Sequence, residues 1–176
     1  MFKTLALIAL TALAALLIYA ATRPDVFRVE RSVRIQAPAP QLFGLIDNLR
    51  QMNRWNPYNK KDPAMKLVYQ GPEAGPGAAF EFDGNKEVGA GRIGVTASQA
   101  PTRVAMTLDM ARPFAAHNDI EFTLAPDGDA TRVTWAMQGP SPYIGKLMGL
   151  IFNMDRMIGG DFERGLADLK TLAEAR

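Results

Sequence analysis

Seventeen consecutive residues from Leu5 to Ala21, LALIALTALAALLIYAA, carry no charge and lie between Lys3 and Arg23. Wound as a helix at 1.5 Å per residue, the stretch nearly crosses a hydrocarbon layer about 30 Å thick. A cleaved signal peptide needs small residues at its processing site, and Ile18 occupies the upstream position that would precede Ala20. The expectation is therefore an uncleaved anchor over residues 1–22. Arg23, Arg28, Arg31 and Arg34 outnumber Lys3 and the amino terminus, a bias that alone would hold the rest of the chain in the cytoplasm. The short tail ahead of the apolar run and its signal-like start favour the other side. The chain is read as a single-pass protein with an extracytoplasmic domain.

Beyond the anchor the period of the apolar positions changes. In FRVERSVRI, residues Phe27, Val29, Val33 and Ile35 share one face, and Arg28, Glu30, Ser32 and Arg34 the other, which predicts a first strand. Arg31 falls on the apolar face. Pro38 and Pro40 close this strand, and Leu42, Phe43, Ile46, Leu49, Met52 and Trp55 then recur at helical spacing, predicting two short helices that end at Asn56-Pro57.

Six further strands are predicted over Met65–Gln70, Ala78–Phe82, Val88–Ala97, Arg103–Met110, His117–Leu124 and Thr131–Gln138, separated by turn residues such as Gly75-Pro76-Gly77 and Asp127-Gly128-Asp129. Short turns between consecutive strands imply an antiparallel meander. From Ser141 onward Ile151, Met154, Ile158, Phe162, Leu166, Leu169 and Leu172 step by three or four, predicting one long amphipathic helix against the sheet. A long helix across the hollow of a bent sheet is difficult to close-pack, and an internal cavity is the usual outcome.

Composition narrows the chemistry. Of 176 residues 22% are charged, with a formal charge of only +2, so nothing demands a nucleic-acid partner. Cysteine is absent and His117 is the one histidine, which removes disulfides, thiol nucleophiles, Cys/His zinc sites and iron–sulfur clusters together. No cofactor is expected.

The segments VERSVRIQAPAPQLFGLI, RWNPY, GPGAAFEF, GAGRIGV, DATRVTWAMQG and DFERGLADLK resemble the polyketide cyclase/dehydrase and lipid-transport members of the START-like (SRPBCC) superfamily, over about Val29 to Ala173. The resemblance implies an α+β helix-grip fold, a curved seven-stranded antiparallel sheet around a long C-terminal helix, with a deep apolar pocket spanning residues 26–176. It does not imply one chemistry. Acid/base residues do not cluster at the predicted pocket-facing positions, so the expected activity is binding or transport of a lipid, isoprenoid or polyketide-like ligand at a membrane. A cyclase or dehydratase, and an accessory protein with a filled core, stay open as alternatives.

The expected lining is Trp55, Tyr58, Phe80, Phe82, Val95, Met106, Leu108, Phe122, Trp135, Met137, Met154, Ile158 and Phe162. Arg31 is either a satisfied ion pair or an anchor for a polar ligand head, because a buried guanidinium needs a partner. Gly89-Ala90-Gly91-Arg92-Ile93-Gly94 matches a dinucleotide-binding spelling but leads into a strand, so bulge-forming glycines are the better reading. His117 has no nucleophile beside it in the sequence, and Asp127-Gly128-Asp129 lacks the later ligands of a calcium loop. Gly159-Gly160 implies either close backbone approach or spare ligand volume.

Overall fold

The computed structural model of the protein describes residues 2–151 and 153–175, and the side chains of Ile151 and Met154 lie outside the described set. Helix α1 (Phe2–Ala21) leads into strand β1 (Val26–Ile35), followed by α2 (Ala39–Asp47), α3 (Leu49–Met52) and α4 (Pro57–Lys61). Strands β2 (Lys66–Gln70), β3 (Ala79–Asp83), β4 (Ala90–Gln99), β5 (Arg103–Arg112), β6 (Ala116–Asp127) and β7 (Ala130–Pro140) precede α5 (Tyr143–Ile151) and α6 (Met154–Glu174). All seven strands form one antiparallel sheet in the order β1-β7-β6-β5-β4-β3-β2. The fold is thus the expected α+β helix-grip arrangement.

Two predicted helical segments are divided differently. The long C-terminal helix is two helices: Asn153, with extended backbone, caps α6, its side chain accepting from the backbone N–H of Arg156 at 2.9 Å. Asn56-Pro57 begins a helix instead of ending one. Asn56 accepts from the N–H of Tyr58, and Pro57 sits in the first turn, where its missing N–H costs nothing.

The sheet bends at β4, where the register slips between Ala90 and Gly91 and again between Val95 and Ala97. Gly91 is required at the first slip, since a Cβ there would meet the Asp109 carbonyl oxygen and lie 2.9 Å from the Phe82 ring. The glycine-rich motif is therefore a bulge. Val29, Phe80, Val95, Val104, Met106, Phe122, Val133, Trp135 and Met137 point into the concave side, where Phe162, Leu166 and Leu169 of α6 meet them.

Candidate ligand-binding site

The centre of the concave face is filled by rings. Trp135 of β7 stacks on Phe162 of α6 with centroids 4.0 Å apart and planes 9° from parallel. Trp55 stands edge-on to Trp135 and to Phe122, at 5.8 and 5.9 Å, and its indole N–H donates to the Leu45 carbonyl at 2.9 Å. Gly165 lets α6 approach this stack, because a Cβ there would lie 2.9 Å from both Pro57 and Trp135. The indole N–H of Trp135 has no acceptor among the described residues.

Of the predicted lining, Trp55, Phe80, Phe82, Val95, Met106, Phe122, Trp135, Met137 and Phe162 are buried in one connected interior, and Tyr58, Leu108 and Ile158 are half-buried against it. The side chain of Met154 lies outside the described residues. Leu108 stands toward one end of the sheet. There the register aligns Leu108 with Asn118 and Phe27 with Gly139, one row beyond Met106, Ile120, Met137 and Val29. Gly139 makes room for the buried Asn118 amide, whose Oδ1 occupies the place a Cβ would take.

At this end α5 does not close down on β1. A groove of about 490 Å³ separates them, with Phe27 and Val29 on the sheet side, Gly145, Gly149 and Leu150 on the α5 side, and Arg23 and Lys146 among its polar lining. Its lining is mixed, with Arg28, Ser141, Asn153 and Asp155 beside the apolar residues.

Arg31 is a satisfied ion pair. Its Nε donates to Glu163 at 2.7 Å, Nη1 to the Glu30 carbonyl and Asp155, and Nη2 to the backbone and carboxylate oxygens of Asp155. A guanidinium has five N–H donors. All are used, so none is left for a ligand head; the hydrogen bonds to Asp155, then Glu163, raise its pKa further and hold Asp155 below the usual carboxylate range.

A polar group that sequence reasoning missed borders the interior where α4 meets α6. Asp161, buried, accepts from Lys61 Nζ at 2.7 Å and from Arg164, and lies beside Tyr58. Burial, then the Asp161 charge, pushes the Tyr58 hydroxyl well above the ordinary phenol value, so it stays protonated. The signal was present in the spacing. Asp161 falls three residues after Ile158 and four before Gly165, on the inward face of α6, just as Arg31 falls on the inward face of β1. His117 is exposed and pairs with Asp109 at 2.5 Å, away from the interior.

An antiparallel sheet gripping a C-terminal helix over an apolar interior defines the hydrophobic-ligand-binding class of START-like proteins. Residues 26–174 match the family described as polyketide cyclase / dehydrase and lipid transport, and the chain belongs to that family. No curated protein matches it by sequence. Among solved structures, protein CV1439 from Chromobacterium violaceum is similar at 16% identity, with a TM-score of 0.61 over 88% of this chain and 100% of that one. The Aha1 dimer from Colwellia psychrerythraea is similar at 15% identity and a TM-score of 0.57, over 84% and 96% of the two chains. The di-domain ARO/CYC BexL from the BE-7585A biosynthetic pathway is 13% identical with a TM-score of 0.62, the match covering 90% of this chain and 54% of BexL. At such identities the likeness is one of fold.

Proposed function

We propose that the protein binds an apolar small molecule of lipid, isoprenoid or polyketide-like character on the concave side of its sheet, tethered to a membrane by α1. The observation that carries this reading is the 490 Å³ groove between α5 and β1, whose Phe27 and Val29 adjoin the apolar interior. Met137 is the register neighbour of Val29 and belongs to the same apolar interior as Phe82, Val95 and Met106. A ligand oxygen near the unpaired Trp135 N–H would satisfy a donor whose burial otherwise costs about 1–3 kcal/mol. The family's description, which includes lipid transport, supports the same reading. The tether rests on α1, whose 20 residues are long and apolar enough to cross a bilayer.

The Tyr58, Lys61 and Asp161 group favours a second reading, in which the site also moves a proton on its bound substrate. Asp161→Asn would then stop turnover while leaving binding intact.

The test is the content of the site. The domain without residues 1–22, purified from cells and extracted with organic solvent, should yield an apolar compound by mass spectrometry, and Leu108→Gln should reduce the amount recovered while the domain stays folded by circular dichroism. An empty extract together with no binding of an environment-sensitive apolar dye would overturn the proposal in favour of a filled core.

A further inference from the structure

Helix α5, YIGKLMGLI, reverses the pattern of a helix packed on a water-soluble domain. Tyr143, Ile144 and Met148 face outward at 45%, 67% and 45% exposure. Its one charged residue, Lys146, is turned inward, its side chain only 8% exposed and its Nζ 2.6 Å from Asp25. A lysine on a helix in water carries its ammonium outward along its flexible stem. Here the charge is spent against the protein and the outer face keeps none. Such a face is stable when the medium outside it is itself apolar.

The position of α5 supplies that medium. The Tyr143 hydroxyl donates to the Leu17 carbonyl of α1 at 3.0 Å, and Ala20 is fully buried at the same junction. Leu17 lies four residues before the end of α1 at Ala21, roughly 6 Å along the axis. Tyr143 thus stands level with the last turn of the helix that reads as the membrane span, the depth at which tyrosine rings collect in membrane proteins. The register also brings the turn between β5 and β6 to this end of the sheet, beside the start of β1 and the end of β7, and Phe114 in that turn is 75% exposed.

We propose that α5 and the root of α1 form a bilayer-docking face, with α5 lying in the membrane surface as a second apolar element beside the anchor. The groove between α5 and β1 then opens at the level of the lipids, and a bilayer molecule enters the site sideways without crossing water. This rests on the tethered-binding reading above.

The chain contains no cysteine, so single-cysteine variants carry a fluorescent probe without background. Leu10→Cys in α1, Met148→Cys in α5 and Val68→Cys, exposed on edge strand β2, are labelled with a nitrobenzoxadiazole dye. The full chain is reconstituted into phosphatidylcholine–phosphatidylglycerol vesicles with and without doxyl-labelled lipid. Probes at positions 10 and 148 should shift to the blue and be quenched several-fold more strongly than the probe at 68. Quenching at 10 but equal, weak quenching at 148 and 68 overturns the docking face and leaves the tether standing. Failure at 10 removes the tether and this inference with it. Neither result touches the ligand content of the truncated domain, which reports separately on binding.

Discussion

Phe162 and His117 represent two very different kinds of residue in this chain. Phe162 is 1% exposed and stacked on Trp135, so truncation opens a cavity that neighbouring rings, pinned by Trp55 and Gly165, have little room to fill. Phe162→Ala should cost about 3–5 kcal/mol in urea denaturation followed by tryptophan fluorescence. A change within error of zero would mean that the stack contributes no net packing. His117 is exposed, and its pKa is raised above the ordinary 6.5, first by the hydrogen bond to Asp109, then by the charges of Asp109 and Asp119. A raised folded-state value means the imidazolium stabilises the native state at acidic pH, fully below the unfolded pKa, and that this contribution fades as pH rises through the folded one. Asp109→Asn should lower the titration midpoint of the single imidazole in an NMR titration. An unmoved midpoint would place the cause elsewhere.

Within α6, the adjacent glycines Gly159 and Gly160 have different reasons to be glycine. A Cβ on Gly159 would land on the Arg31 guanidinium, whereas one on Gly160 would meet only the end of the Arg164 side chain at 3.7 Å. Gly160→Ala should therefore gain close to the intrinsic helix-propensity difference, about 1 kcal/mol. Gly159→Ala should forfeit that gain, because Arg31 must leave its pairs with Asp155 and Glu163, and recover it when Arg31 is also alanine. Thermal denaturation of the double-mutant cycle reads this directly. Additive effects would mean Arg31 moves aside freely. Neither glycine opens ligand volume: the Arg31 side chain takes the place of a Cβ at the first, and nothing among the described residues requires the second.

For the molecule as a whole, β1 to α6 carry a connected core of their own, while α1 contributes only Ala20 to the buried set. Deleting Met1 to Thr22 should leave a soluble domain with unchanged far-ultraviolet circular dichroism and a cooperative unfolding transition. Loss of that transition, or aggregation that mild detergent does not reverse, would show that the anchor is part of the fold. The exposed apolar side chains of α5 make the domain prone to self-association at high concentration, which mild detergent should reverse.

The alternation in β1 and in the strands from β3 to β7, the three-four stepping of α6, and the uncharged run of α1 were legible because each is a local period that one buried face imposes on its own segment. Arg31 and the GxGxxG spelling were readable for the same reason, as departures from a local pattern. Pairing across distance was not. That β1 lies beside β7, that Trp55 enters between Phe122 and Trp135, and that Lys61 meets Asp161 depend on which residues a bent sheet brings together. The break between α5 and α6 was hidden too, since apolar residues on both sides of Asn153 keep helical spacing while the cap interrupts the axis. Sequence by itself determined the strands, the apolar N-terminal run, the buried faces and the family; only the tertiary structure decided where the helices break, where a groove lies between α5 and β1 and what faces outward from α5. Burial at one position constrains its own period, whereas a groove is set by the distance between elements that no single period records.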